Sequence, residues 1–242
     1  MIAPDAGSEG VPVESSSSAM RAVVAMLGRV ACHDVPVLLR GESGSGKSAL
    51  ARALHAASPR RDRLLVPVDC RELEADGPRN ARVLAEKIGE AMGGSVLLEE
   101  VGALPERLQA GVVSLLEPSG ARRSGDVRVV ATSHLDLEAA VRAGRLREDL
   151  VRRLAVVEIR VPPLRERKDD ILPLARSFLA AFGRGRVAGL APRAEVALLS
   201  YPWPGNIREL RNAMQRALVL SPGAILDLEA LPPKLRASGA EP

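Results

Sequence analysis

The sequence predicts an α/β fold, a parallel sheet sandwiched by helices and followed by a small all-helical lobe. Three observations lead there. Short apolar runs alternate with amphipathic stretches through the first two thirds of the chain. A glycine-rich octapeptide follows the first of those runs at once. After Pro162 and Pro163 the strand-like runs cease and only helical periodicity remains. With 242 residues the chain is long enough for a large and a small lobe, each with its own core. One Trp, one Tyr and two Phe mean that those cores are built mostly from Leu, Val and Ala.

Residues 1–18, rich in Gly, Pro and Ser and without sustained apolar period, read as a flexible linker. From Ala19 to Ala31 the spacing of Met20, Val23, Val24, Leu27 and Val30 predicts a helix. Val35 to Leu39 then reads as a buried strand. Further strands are expected at Leu64 to Val68, Val96 to Leu98, Val127 to Ala131 and Val156 to Val161. Helices are expected around Ala49 to Ala57, Glu106 to Leu116 and Leu137 to Ala143. These elements assign 19–163 to a nucleotide-binding α/β subdomain. The second lobe, 164–236, takes helices at Asp170 to Phe182, Arg193 to Ser200 and Asn206 to Leu220. Gly183, Gly185, Gly189, Pro202, Pro204 and Gly205 punctuate it, and 237–242 are a tail.

Composition excludes several classes. The 34 basic and 30 acidic residues give a net charge of +4, a mixed surface unlike a nucleic-acid-binding arm. Cys32 and Cys70 make neither a disulfide framework nor, with three scattered His, a metal cluster; both are expected to be buried thiols. His33 and His55 receive no functional role. No apolar stretch reaches membrane-spanning length and no basic-then-apolar leader opens the chain, so a cytoplasmic location without membrane attachment is expected.

The chemistry begins at Gly41-Glu42-Ser43-Gly44-Ser45-Gly46-Lys47-Ser48, which fits G-x-x-x-x-G-K-[ST] between a predicted strand and a predicted helix. Glycines let the loop curl so that backbone N–H groups face an anion, and the helix N-terminus adds partial positive charge. Lys47 is expected to reach the β and γ phosphates of ATP or ADP, and Ser48 to offer its hydroxyl to Mg²⁺. Kinases, motors, GTPases and remodelling ATPases all share such a loop, so it names no reaction. Farther on, Gly93 to Glu100 forms an apolar strand ending in two carboxylates, Glu99 and Glu100. Such a pair suits metal binding and water activation, though two like charges at a strand end could also be a solvated edge.

With its flanks, the sequence after Ser18 resembles the central AAA+ domain of bacterial enhancer-binding proteins, the activators of sigma-54 RNA polymerase. GESGSGKS stands for that family's GESGTGKE, ARALHAASPR for ARAIHxxSxR and GRLREDLVRRL for GxFREDLYYRL. PPLRERKDDI and YPWPGNIRELRN follow in the same order. The resemblance implies that Glu99 holds the metal and Glu100 polarises the attacking water. It implies that Arg147 and Arg153 reach the γ phosphate bound by a neighbouring subunit of a hexameric or heptameric ring, and that Arg208 reports nucleotide to the helical lobe. Each of the three arginines could instead be a helix-surface charge paired with Asp or Glu.

Four departures accompany the resemblance. The stretch from Arg71 to Met92 contains no Phe and no tract like GAFTGA, the family's sigma-54-contacting loop. The family's metal-binding Asp is Glu99 here. The Asn that restrains the catalytic Glu appears as Asp69, whose second carboxylate is expected to raise the proton affinity of the pair with Glu100. The sensor Asn appears as His134, which could hydrogen-bond a phosphate or be an ordinary loop histidine. Two functions follow: an ATP-hydrolysing ring that regulates transcription, or a non-hydrolysing module in which nucleotide gates oligomerisation and a contact with RNA polymerase, sigma-54 or another regulator. Leu226 to Leu235 lack the paired helices and tight turn of a DNA reader, so sequence-specific DNA binding by this chain is not expected.

Overall fold

A computed structural model describes residues 15–73, 78–116, 126–183, 189–221 and 223–238. They form two units. The first holds residues 23–41 and 47–161; the second holds 15–22, 42–46 and the chain from Pro162 onward. Parts of the expected linker and tail, the 184–188 loop and residues 74–77 of the stretch after Arg71 lie outside the described residues.

Through the first unit the order is α1 (Ser18–Ala31), β1 (Val37–Arg40), α2 (Lys47–Ala56), β2 (Leu65–Asp69), α3 (Pro78–Glu90), β3 (Ser95–Glu99), α4 (Glu106–Leu115), β4 (Arg128–Ser133), α5 (Leu137–Arg142), α6 (Glu148–Leu154) and β5 (Val157–Arg160). The five strands pair in parallel in the order β2-β3-β4-β1-β5. Leu38, Leu39, Val96, Leu97, Leu98, Val130 and Ala131 are fully buried. Central parallel strands covered on both faces must be apolar at every position, which is why they read as runs and not as alternation. Because the chain leaves β1 for the far edge and later returns to its other side, the loops at the carboxyl ends diverge around β1, where such sheets place their ligands.

Buried polar side chains fasten this unit. Arg128, at the start of β4, donates from Nη1 to the Ala31 carbonyl (2.9 Å) and from Nη2 to that of Val30 (2.9 Å), capping α1. His55 bonds the Ser95 hydroxyl (2.9 Å) and the Arg63 carbonyl (3.0 Å), a packing role. Cys70 is buried, and its thiol is pushed up to about 12 by burial. Cys32, expected to be buried, is exposed, because it lies just past the last turn of α1.

The second unit contains α7 (Ile171–Gly183), α8 (Pro192–Ser200), α9 (Asn206–Leu220) and α10 (Pro233–Ser238). Among the described residues after Pro162 its regular elements are helical save for a parallel pair of two-residue strands, β6 (Gly189–Leu190) and β7 (Ile225–Leu226), which the helical periodicity did not foretell. Its core is aliphatic around Trp203, which is fully buried and donates its Nε1–H to the Leu198 carbonyl at 2.8 Å. Residues 15–17, expected to end a flexible linker, are held instead by Asp170. Its Oδ1 accepts from the backbone N–H of Ser16 (2.9 Å) and Ser17 (3.2 Å) and from the Ser15 hydroxyl (2.7 Å).

Candidate functional site

The octapeptide leaves the carboxyl end of β1 and runs into α2, so strand, loop and helix N-terminus follow in the order the motif requires. Gly44 and Gly46 adopt φ of 75° and 100°, which L side chains rarely take. A Cβ on Gly44 would lie 2.4 Å from the Gly205 carbonyl oxygen, so the loop also needs glycine for space. Ser45 is buried, and among the described residues its Oγ has no hydrogen-bond partner.

Lys47 opens α2 and is buried. Its ammonium donates to the Gly41 carbonyl (2.9 Å) and lies 3.2 Å from Glu100 Oε1. Glu100 follows the last residue of β3 in a left-handed conformation, φ 54°, with its N–H donating to the Thr132 hydroxyl at 3.0 Å. That turn swings the carboxylate towards Lys47 on one oxygen. The other oxygen accepts the His134 backbone N–H (3.0 Å) and contacts His134 Nδ1. Burial pushes the Glu100 carboxyl up, but the His134 hydrogen bonds and the Lys47 charge outweigh it, and the group sits below the usual carboxylate range.

Asp69 ends β2 and is not the partner of Glu100. Its carboxylate accepts from the Arg71 backbone N–H (3.0 Å), Nε (2.9 Å) and Nη2 (2.6 Å). The expected rise in proton affinity is therefore overturned: Arg71 holds the Asp69 carboxyl below its ordinary value, and Glu100 is lowered as well. The groups that restrain Glu100 are His134, Lys47 and Thr132.

Glu99 closes β3 in register with Asp69, and Ser48 stands in the first turn of α2. Both are half-buried oxygen donors, the hydroxyl and carboxylate chemistry that suits Mg²⁺. Among the described residues no group of three or more His, Cys, Asp or Glu forms a metal cage of its own. A site of this donor set therefore fits a metal that arrives with the ligand's own oxygens.

Arg147 stands at the N-terminal end of α6 and is exposed, paired with Asp149 through Nε (3.0 Å) and Nη2 (2.7 Å). Its backbone N–H is fixed by buried Gln109 (2.8 Å). Arg153, in the last turn of α6, is half-buried.

In the second unit Arg208, in the first turn of α9, donates from Nη1 to the Ser43 hydroxyl at 2.9 Å. Ser43 and Arg208 line a cleft of about 480 Å³ with Gly205, Asn212, Arg216 and Lys234, a size within the range of small-molecule sites. Glu42 is engaged by Arg165 (2.6 and 2.8 Å) and by Asn206 Nδ2 (3.0 Å), and the Arg165 hydrogen bonds lower its carboxyl to about 2. Sequence reasoning gave no role to Arg165, Arg167 or Asn206, although each lies in a quoted motif, PPLRERKDDI or YPWPGNIRELRN. Thr132 and Arg71 carried no sequence signal.

The family model of the sigma-54 interaction domain matches residues 15–164, and that of the AAA+ ATPase lid domain matches residues 165–242. The transcriptional regulatory protein ZraR of Klebsiella oxytoca is 41% identical over 244 residues, covering 89% of this chain and 54% of that protein. The alginate biosynthesis transcriptional regulatory protein AlgB of Pseudomonas aeruginosa is 39% identical over 246 residues, with shares of 92% and 55%. The chain thus spans about half the length of the curated relatives it matches. Crystal structures of NtrX from Brucella abortus are also similar. The complex with ADP has a TM-score of 0.81 at 29% identity, covering 93% of this chain and 56% of that one; the complex with ATP has 0.83 at 30%, covering 93% and 55%. No helix of the described residues is long and apolar enough to cross a membrane. The chain belongs to the sigma-54 interaction domain family and is an AAA+ module of the kind found in the sigma-54 activator class of transcription regulators.

Proposed function

We propose that the chain binds and hydrolyses ATP in a ring of identical subunits and so regulates transcription. The observation that carries this reading is the pairing of the buried Lys47 ammonium with Glu100 at 3.2 Å, at the mouth of a loop whose glycines take the φ values of an anion cradle. The binding of ATP or ADP by similar NtrX structures supports it.

Residues 41–48 wrap the phosphates, with Lys47 as the cation that neutralises them. Mg²⁺, when bound, spreads the negative charge of the phosphates, and Ser48 and Glu99 are the residues that would hold it. Glu100 orients and deprotonates the attacking water; His134 and Lys47 keep its carboxylate ionised, and its basicity rises when the Lys47 charge moves to phosphate. Once Lys47 turns to phosphate, Glu100 is released from one of its three restraints, and His134 and Thr132 remain. Arg147 and Arg153 serve the γ phosphate of a neighbouring subunit, for which Arg147 must leave Asp149. Arg208 senses nucleotide through the loop residue it already touches, Ser43. A partner in RNA polymerase or sigma-54, and a cytoplasmic location, accompany this reading.

A non-hydrolysing reading draws on one specific observation: both Glu100 oxygens are occupied, by Lys47 and by His134. Calorimetry with ATP and Mg²⁺, combined with phosphate release by the natural chain and by Glu100→Gln, separates the two. Binding with release that Glu100→Gln abolishes supports the ATPase. Equal release by the two proteins leaves the binding module, and no heat of binding sinks both.

A further inference from the structure

The phosphate loop is held from behind. Three successive carbonyls of residues 43–45 each accept a hydrogen bond from the second unit, to which residues 42–46 also belong. Asn206 Nδ2 donates to the Ser43 oxygen at 3.2 Å, the Ile207 backbone N–H to the Gly44 oxygen at 2.9 Å, and Arg167 Nη2 to the Ser45 oxygen at 2.5 Å. In a planar trans peptide the C=O and the following N–H point in opposite directions. Fixing the Ser43 carbonyl on Asn206 therefore turns the Gly44 N–H away from that donor, and fixing the Ser45 carbonyl on Arg167 turns the Gly46 N–H away from Arg167, while the Ser45 N–H between them is taken by the Glu42 carbonyl at 3.2 Å. The Gly44 and Gly46 N–H groups are the donors an anion cradle needs, and the glycine φ values of 75° and 100° are the conformations that permit the arrangement.

Two of the three donors are side chains placed at a cost. Asn206 takes φ of 52° and is fully buried, with its Oδ1 accepting the Leu164 N–H at 2.7 Å and its Nδ2 shared between Glu42 and Ser43. Arg167 is buried; among the described residues its Nε has no hydrogen-bond partner and its Nη1 reaches the weak acceptor Met20 Sδ at 3.3 Å. Burial pushes its guanidinium down from its ordinary value, with Asp170 opposing. A cation so poorly matched is a weak source of stability, whereas its one strong bond is to the loop.

We infer that Arg167 and Asn206 are positioning residues that hold the phosphate loop in its anion-receptive conformation without touching nucleotide. This rests on the reading of residues 41–48 as a nucleotide site. It assigns to PPLRERKDDI and to the Asn of WPGNIREL a role apart from that of Arg208.

The test uses the full chain, with ADP and Mg²⁺ as the probe, in Arg167→Met, Arg167→Lys and Asn206→Asp. Asn206→Asp keeps the acceptor for Leu164 and tolerates the left-handed backbone, but it loses the donor to Ser43 and to Glu42 and sets its carboxyl against that of Glu42. Arg167→Met should melt within a few degrees of the natural chain and Asn206→Asp lower, the latter because its carboxyl faces Glu42, yet at temperatures where they are folded both should bind ADP about tenfold more weakly or worse. The ADP-induced downfield shift of the Gly46 amide resonance should shrink in parallel. Arg167→Lys, which retains a donor, should recover part of both. Folded variants that bind ADP within about twofold of the natural chain, with an unchanged Gly46 shift, would overturn the inference and leave the nucleotide reading standing. A natural chain that takes up no ADP removes that reading itself. If Arg167→Met fails to fold, Asn206→Asp and Arg167→Lys decide.

Discussion

Glu42 illustrates how a single side chain in the loop ties function to stability. It occupies an unspecified position of the motif, yet hydrogen bonds first from Arg165 and then from Asn206 lower its carboxyl from 4.5 to about 2. A depressed carboxylate favours the folded state above its unfolded value, and that contribution is lost as pH falls through the folded one. The pair is well exposed, so its worth is modest. Glu42→Gln should therefore flatten the fall of melting temperature between about pH 4.5 and about pH 2; parallel acid limbs for the two proteins would refute the coupling. Glu100 gives the second prediction at this scale. Glu100→Gln keeps the shape but cannot accept the proton, so phosphate release should drop about a hundredfold or more while ATP affinity persists. Retained turnover would show that another group serves as base.

Among the elements, the loop and the lobe built around Trp203 make the sharpest demands. Gly44→Ala would bring a Cβ to 2.4 Å from the Gly205 oxygen and 3.1 Å from Arg208 Cβ, at a φ of 75° that Ala resists. Loss of measurable ATP binding in calorimetry is the expected outcome, and undiminished affinity would mean that the cradle is not the binding element. Trp203 has no exposed surface, stacks edge-on with Tyr201 at 5.1 Å between centroids and satisfies its N–H on Leu198. Trp203→Ala should cost about 3–5 kcal/mol, read as a lowered denaturant midpoint; a loss below about 1 kcal/mol would contradict so central a packing role. Most of these elements were legible in the sequence because buried strands and amphipathic helices carry unlike periods. The helices α3, α6 and α10 stand outside that reading: α6 and α10 have 7 and 6 residues, and unlike the equally short α5 they are rich in charge or proline, which leaves fewer apolar positions to mark a stripe. The strand pair β6 and β7, two residues each, lies below any pattern.

At the scale of the assembled molecule, the proposed ring requires one subunit's arginines to complete its neighbour's site. Turnover per subunit should then rise with protein concentration, and a rate indifferent to dilution would argue against a shared site. Arg147→Ala should reduce turnover by about a thousandfold or more. Mixing it with Glu100→Gln should restore part of the activity, since a subunit with intact Glu100 can receive Arg147 from its neighbour. Failure of the mixture to exceed its parents would place Arg147 outside any neighbour's site.

The α/β class, the position of the phosphate loop and the family are written in local spacing, in glycines followed by Lys47 and Ser48, apolar runs and motifs in a fixed order, and so can be read from the residues alone. Local spacing does not say which groups meet. Asp69 reads as the neighbour of Glu100, yet Arg71, two residues away, claims it, while His134, 34 residues on, holds the glutamate. Likewise Arg167 and Asn206 become partners of residues 43–45 only when chain segments more than 120 residues apart are packed together. Hydrogen bonds form by distance and direction in space, and spacing along the chain records neither beyond a turn or two of helix.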